Sequence, residues 1–395
     1  MSELNFTHSN GNKVKLTTPD TLAANKTFKL PGADGSSGQF LKTDGSGALS
    51  FTSQLTGSRR LNINGSFLVW QRATSIAVSD GSNEGFQAAD RMLFKFGGAA
   101  AGACTISRST DVPTRLGFIY SYKIDVTTAN SVSGNSYHVQ NEYTFEGQDI
   151  LSSGWDYKDP NSYLTISLYL KTNKSGNPKL PLTLRLYDSA GNYRYYTEDI
   201  TIVGTDWGRY SITIPGDASA NDIANNTTDG CTLFICWSTG DGLVGTTGTW
   251  SSSGNRASSN SANFFDSTSN DMYMTGLQFE VGDRMTSYDH RTYGEELRRC
   301  KRYYQTAAYT TLMGSLAGAV GTPRILFEVE MRAIPSSVTT EYGSNGNGTF
   351  RNQNDGSTLS GHTTFNYYIN GFDCRGSGGS ANIVYSSTYK ANAEI

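Results

Sequence analysis

Four histidines, His8, His138, His290 and His362, stand in unrelated segments of a 395-residue chain. None is flanked by a serine elbow, a HExxH pair, a P-loop or a GxGxxG following a strand. The glycine-rich stretches "GDGLVG" and "DGSSG" lead into no helix that could receive a phosphate. Glycoside hydrolysis needs only two placed carboxylates, and 35 Asp and Glu make a close pair easy. The regular repeats of a parallel β-helix, the common scaffold for glycan depolymerisation, are missing. The expectation is a chain that is not an enzyme.

Binding chemistry is better represented. A sugar ring stacks its CH face on an aromatic ring while polar side chains take its hydroxyls. Trp250 lies in "GDGLVGTTGTWSSSGNRASSNSANFF", a polar stretch with little else apolar to pack on, with Asn255 and Arg256 beside it. Trp155 and Tyr157 in "SSGWDYKDPNSY" form a second candidate pair. The competing reading is that such rings cap the edge of a core, as Trp207 and Trp237 are expected to do. A third group, Phe350, Arg351, Asn352 and His362, sits in a Gly/Asn/Ser-rich loop set. Asp80, Glu84 and Asp90 in "SDGSNEGFQAAD" supply oxygen ligands that could hold a structural Ca²⁺, although their spacing matches no strict calcium loop. No other cofactor is expected.

The elements that must position these residues are strands. Hydrophobic residues make up only 36% and charged residues 17%, yet Tyr is 23 and Phe 18 alongside 43 Gly. Turn formers mixed with aromatic and β-branched residues favour short strands joined by polar loops. In "YLTISLYLKT", Leu164, Ile166, Leu168 and Leu170 face one way; in "LTLRLYD", Leu182, Leu184 and Leu186 do. Alternation of this kind means one face buried and one wet. About ten such segments from Asn62 to Val281 predict a two-sheet antiparallel jelly roll. "YGEELRRCKRYYQ" reads as a helix with Leu297, Cys300 and Tyr304 on one stripe. From residue 306 the pattern is again β, with strands broken at Pro335, a hairpin turning at Asn370-Gly371 and a last strand running to the terminus.

Residues 1–56 hold too little apolar surface for a core of their own. Phe28, Leu30, Phe40, Leu41, Leu49 and Phe51 are their apolar anchors, expected to pack against sister chains or a larger body. The organisation is therefore an assembly segment (1–56), a jelly roll (57–292), a helical hinge (293–305) and a lean C-terminal β-domain (306–395). A net charge of −3 gives no footprint for nucleic acid. No apolar run approaches a membrane span, and the first residues lack the basic start and apolar core of a secretion signal. Five cysteines, an odd number widely scattered, argue against a disulfide framework. Cys231 and Cys236 fall on opposite faces of one strand, roughly 16–17 Å apart, and all five are expected as reduced, mostly buried thiols.

Several stretches share a resemblance. "GQFLKTDGSGALSF" resembles a motif near the N-termini of phage tail-fibre and related structural proteins. "NGSFLVWQR…AADRMLF" and "GLQFEVGDRMTSYDHRTYGEELRRCKRYYQ" resemble the opening and end of the carbohydrate-binding-like jelly roll in those proteins. "EMRAIPSSVT" and "YKANAEI" resemble their C-terminal domain. The matches come in the family's order and span the chain nearly end to end. The resemblance implies a virion protein made in the host cytoplasm, a homotrimer that joins other tail proteins through its N-terminus and reaches a host-surface polysaccharide or lipopolysaccharide. Membrane insertion and nucleic-acid contact are not expected. Two other readings stay open: a structural adaptor carrying a lectin-like fold without receptor contact, and a glycan depolymerase. The matched motifs look like scaffold, so the resemblance assigns no ligand residue.

Overall fold

The structure, a computed structural model, describes residues 3–7, 9, 11–17, 26–35, 39–43, 45–53, 60–98, 102–130, 136–313, 315–316, 319–320, 323–343, 345–353, 355–360, 363–375 and 383–395. The chain divides into two units, 1–57 and 58–395.

The first unit contains two antiparallel hairpins, β1 (Glu3–Thr7) with β2 (Lys13–Thr17), and β3 (Gln39–Thr43) with β4 (Leu49–Ser53). Lys29 adds a short bridge to the second, donating to the Gly47 carbonyl at 2.9 Å and accepting from Leu49 N at 2.8 Å. Gly47 makes this approach feasible: its φ is +104°, and a Cβ there would lie 2.4 Å from the Thr27 carbonyl. Within the unit Phe28 and Leu30 are two-thirds or more exposed, Leu41 and Phe51 are exposed, and Leu49 is half-buried. The Phe40 side chain lies outside the described part.

The second unit opens with a two-sheet antiparallel sandwich. Its strands are β5 (Ser75–Ser79), β6 (Leu93–Gly97), β7 (Ala103–Ser109), β8 (Ser121–Thr128), β9 (His138–Glu146), β10 (Tyr163–Thr172), β11 (Lys179–Tyr187), β12 (Tyr193–Thr201), β13 (Gly208–Pro215), β14 (Asp229–Thr239), β15 (Trp250–Ser251) and β16 (Asp271–Val281). One sheet runs β13-β10-β16-β8-β7-β5 and the other β15-β12-β11-β14-β9-β6. The chain crosses between sheets repeatedly, the jelly-roll pattern that the alternating sequence predicts. Leu164, Ile166, Leu168 and Leu170 from one sheet and Leu180, Leu182, Leu184 and Leu186 from the other are all buried in one core. All five cysteines are free and buried, with Cys231 in that core and Cys236 in a separate cluster with Tyr195 and Phe234.

One expectation about the strands fails. Thr165, Ser167, Gln278 and Glu280, on the supposedly wet face of the first sheet, are also buried. The chain after β16 turns back over that face. Thr286 donates its N–H (2.8 Å) and hydroxyl (2.5 Å) to Glu280, and Asp289 N donates to Gln278 Oε1 at 2.8 Å.

Two helices are described: α1 (Gly147–Leu151), at the end of β9, and α2 (Tyr293–Lys301), which starts with a capping box between Thr292 and Glu295. The strands beyond α2 are β17 (Tyr304–Met313), β18 (Ser315–Leu316), β19 (Ala319–Val320), β20 (Arg324–Leu326), β21 (Ser337–Glu341), β22 (Phe350–Asn352), β23 (Thr358–Leu359), β24 (Thr363–Tyr368), β25 (Gly371–Arg375) and β26 (Ile383–Asn392). β17, β21 and β22 all pair with β26, and β20 and β24 flank β25. The hairpin turns at Asn370-Gly371 as expected, but the strand expected to run to Pro335 already ends at Leu326, and the next begins at Ser337. Phe327, Phe372 and Tyr389 centre this smaller core, with ring centroids 5.5–5.9 Å apart.

The helix expected as a hinge is fixed on both sides. Its buried stripe is Glu296, Cys300 and, just past its end, Tyr303. Of the predicted stripe Cys300 and Tyr304 are buried, while Leu297 gives way to Glu296, which Arg60 holds inside as a buried ion pair. Glu296 also accepts from Asn64 N at 2.7 Å. Beyond the helix, Arg302 pairs with the fully buried Glu146, which also accepts from the Tyr303 hydroxyl at 2.6 Å. Near the C-terminus, Glu394 pairs with Arg91 at 2.6 Å and Arg72 at 3.3 Å. The Arg91 and Arg72 guanidinium groups lie 3.6 Å over Tyr303 and 3.7 Å over Tyr304.

Candidate functional site

The β11–β12 hairpin decides which side chains leave the core. With Leu184 and Leu186 inward, Arg185 and Tyr187 must point outward, and register sets Arg185 opposite Tyr195 and Tyr187 opposite Tyr193. Asp188 holds the turn between them. Its carboxylate accepts from Ala190 N (2.9 Å), Asn192 N (2.7 Å) and Asn221 Nδ2 (2.7 Å). Those bonds, the Asn192 backbone first, lower its pKa to about 2.

The outer face so formed is aromatic and polar together. Tyr187 and Tyr193 stack at 4.9 Å with planes 23° apart, and Tyr193 is 40% exposed. The Arg185 guanidinium lies 5.0 Å from the Tyr193 ring and 5.1 Å from Phe234. It is anchored by an ion pair to Asp229 and a 3.0 Å bond to Thr232 Oγ1. On the neighbouring rows stand Glu142 and Gln140 of β9, opposite Phe234 and Cys236. Gln140 Nε2 donates to Glu142 Oε1 at 2.6 Å. At the far end the His138 ring lies against Gly97, and burial lowers its pKa to about 4.

The segment carrying Trp250 folds over this same sheet, and it divides the predicted sugar site. Arg256 reaches the face: its guanidinium is 4.7 Å over Phe234 and donates to Gln140 Oε1 at 3.0 Å. Asn255 stands next to it, its Nδ2 bonded to Ser253 Oγ at 2.9 Å. Trp250 turns the other way. It is half-buried against the sandwich core, 5.4 Å from Tyr196, and its indole N–H donates to the Pro215 carbonyl at 2.8 Å. It is therefore an edge residue of the sheet, in β15, rather than a ring free in a polar loop.

The other sequence candidates separate. Trp155 is 3% and Tyr157 7% exposed inside the core, leaving no ring face for a ligand. Trp155 donates to the Ser162 carbonyl, and Tyr157 accepts from Ile223 N. Phe350 is buried edge-on against Tyr385 at 4.5 Å, so it too is a core residue. Arg351 is exposed on the C-terminal sheet, 5.9 Å from the Tyr342 ring, while Asn352 is buried there. His362 lies outside the described residues. The expected core pair also splits. Trp237 is buried, but Trp207 sits 6.3 Å from Tyr273 on the outward side of the first sheet and donates to Asp111 at 2.9 Å.

The expected calcium ligands do not converge. Buried Asp90 accepts from Gln71 N at 3.0 Å and faces Arg72 at 3.7 Å. Glu84 accepts from Phe96 N at 3.1 Å. Among the described residues no group of three or more His, Cys, Asp or Glu could hold a metal ion, and no helix is long and apolar enough to cross a membrane.

Tyr187, Tyr193 and Arg185 were missed in the sequence. The signal was present: in "LRLYDSAGNYRYY" the residues between the inward leucines carry rings and a cation on the same side of two paired strands.

No protein-family model matches the chain, and no curated protein matches it. Solved structures to which it is similar include a domain of tailspike protein 4 of bacteriophage CBA120, at 13% identity and a TM-score of 0.29, covering 56% of this chain and 21% of that one. The chain thus spans about a fifth of the tailspike domain. A sugar-binding-type protein from Bacteroides thetaiotaomicron is similar at 10% identity and a TM-score of 0.31, covering 57% of this chain and 100% of that one. A xylan-binding domain from Paenibacillus barcinonensis gives 9% identity and a TM-score of 0.25, covering 58% and 100%.

Proposed function

We propose that the chain is an attachment protein of the phage tail-fibre type, which binds a surface glycan through the outer face of the sandwich sheet containing β12, β11, β14 and β9. The observation that carries the reading is the Tyr187–Tyr193 stack beside Arg185, with Glu142 on an adjoining strand and Arg256 laid over the sheet, both held by the buried Gln140. Rings fixed by register stack on sugar CH faces, and the polar neighbours match hydroxyls. A face built on paired strands is also rigid, so little ordering is required on binding. The exposed Phe28, Leu30, Leu41 and Phe51 of the first unit support assembly with sister chains or a tail protein. In this reading the molecule is a virion-borne homotrimer, docked by its first unit, and no bond of the glycan is broken.

Each site would be weak, roughly millimolar, with avidity of about 10²–10⁴ across linked copies. The test is a glycan array run alongside a reducing-sugar release assay. Binding without sugar release, lost in Tyr193→Ala and Arg185→Ala while the melting temperature holds, supports the reading. Sugar release would make the protein a depolymerase. Binding unaffected by both substitutions would remove the tyrosine face from the reading.

A further inference from the structure

A cleft of about 680 Å³ opens elsewhere on the second unit, between residues 66–70, the loop ahead of β8 and the first turn of α2. It shares no lining residue with the tyrosine face. Its volume falls within the roughly 300–1,000 Å³ typical of ligand pockets. Trp70, Tyr120 and Tyr293 contribute rings to its walls, and Leu68 and Ile119 add apolar surface. Trp70 is held in place from behind: it stacks on Tyr122 at 5.8 Å and 27°, and its indole N–H donates to the Phe67 carbonyl at 2.6 Å. Tyr293 and Ile119 are each 57% exposed.

The charge of the cleft has one sign. Arg108 and Arg291 line it, and no Asp or Glu is among the described residues that do. Arg108 is exposed, its guanidinium 4.4 Å over the Tyr120 ring, and it has no carboxylate partner among the described residues. Arg291 is spent on structure, bonding the carbonyls of Asn62 and Arg60 with Glu296 at 3.7 Å. Even so, burial and the nearby Arg60 and Arg299 push its pKa down to about 10, outweighing the opposite pull of Asp289. Glu296, the nearest buried acid, is occupied by Arg60.

We propose that this cleft is a second ligand site, for one anionic pyranose: a sugar ring seated against Trp70 with its carboxylate on Arg108. A planar guanidinium donates two parallel N–H bonds to a carboxylate, and a fixed indole provides the stacking plane. Neither group alone defines the ligand. The ring asks for a CH face, and the unpaired cation in an acid-free wall asks for an anion.

Glucuronate, glucose and acetate separate these demands in saturation-transfer NMR and tryptophan-fluorescence titrations of the full chain. Glucuronate is expected to show ring-proton saturation and to shift the tryptophan emission. Its affinity should fall about tenfold or more in Arg108→Ala and be recovered only in part in Arg108→Lys, which keeps the charge but not the paired N–H bonds. Glucose and acetate should each bind far more weakly than glucuronate. Tyr193→Ala should leave glucuronate binding unchanged, which separates this site from the tyrosine face whether or not that face binds sugar. No saturation of glucuronate, equal affinity in Arg108→Ala, or acetate matching glucuronate would each overturn the proposal. Arg108 is exposed on a strand end, so its loss does not threaten folding.

Discussion

Replacing Glu394 by alanine tests whether the last residues of the chain lock the two β-domains together. The Glu394 side chain is 4% exposed and its partner Arg91 1% exposed, with 2.6 Å between them. Removing one member of a buried pair leaves a charge without its counterion and typically costs about 3–5 kcal/mol. The cost should fall at the lower end here. Arg91 keeps the Thr144 carbonyl and the Tyr303 face, and Arg72 keeps Asp90 at 3.7 Å. The expected loss is about 3 kcal/mol, or roughly 6 °C at ~2 °C per kcal/mol for a large domain. Glu394→Gln retains an acceptor and should lose less. Calorimetry gives the melting temperature, and limited proteolysis around residues 302–306 reports opening of the joint. A Glu394→Ala protein melting within about 1 °C of the parent, with unchanged cleavage, would refute the lock.

Other outcomes follow from the same contacts. His138, lowered to about 4 by burial, takes its proton later in the folded than in the unfolded chain, so it reduces stability as pH falls from about 6.5 to about 4. Asp90, raised to about 6 by burial, works in the opposite sense, because the folded chain is protonated first between about 6 and its ordinary 3.8. Urea midpoints at about pH 7 and about pH 5 should therefore show His138→Gln gaining on the parent upon acidification and Asp90→Asn falling behind it. Trp250→Phe should lose about 1 kcal/mol with its bond to the Pro215 carbonyl, measured by denaturant unfolding, while glycan binding is unchanged. A chain starting at Ser58 should unfold cooperatively with the parent's midpoint, since that unit holds its own cores, built among the described residues from Leu61 to Ala393. A lower midpoint would show that the first unit supports them.

The fold was legible because its strands announce themselves. In β10 from Leu164 to Leu170 and in β11 from Leu180 to Leu186 every second residue is leucine or isoleucine, and the structure buries each of them. What alternation cannot show is what covers the opposite face. Thr165 and Ser167 read as wet, yet the chain after β16 returns over them, a tertiary event with no local signature. One position of the helix stripe failed in the same way, although Cys300 and Tyr304 are buried as expected. Leu297 appeared to define its stripe, but Glu296 is the buried position because Arg60, 236 residues earlier, supplies the counter-charge. Charged residues are assigned to solvent by any pattern argument, and only pairing reverses that assignment.

The candidate site was half legible for a related reason. Loop position suggested exposure for Trp250, Trp155 and Tyr157, but large rings in polar stretches find an edge of the core when one lies within reach. Arg256 and Asn255 did arrive at a surface with rings on it, those of Tyr187 and Tyr193. These rings come from a hairpin whose polar-face residues are visible only once two strands are laid in register. The motifs that carry the tail-fibre resemblance meet elsewhere. "NGSFLVWQR" supplies Asn64 and Arg72, "AADRMLF" supplies Arg91, the helix supplies Glu296, and "YKANAEI" supplies Glu394. These are the residues of the joint. The β11–β12 hairpin belongs to none of those motifs: its turn is held locally by Asp188, and Arg185 reaches the joint only indirectly, through Thr232 and Thr144 to Arg91. A change in the rings at Tyr187 or Tyr193 would therefore alter the binding face without touching the buried pairs that fix the domains. The resemblance locates the scaffold, and the ligand chemistry has to be read from the strand register.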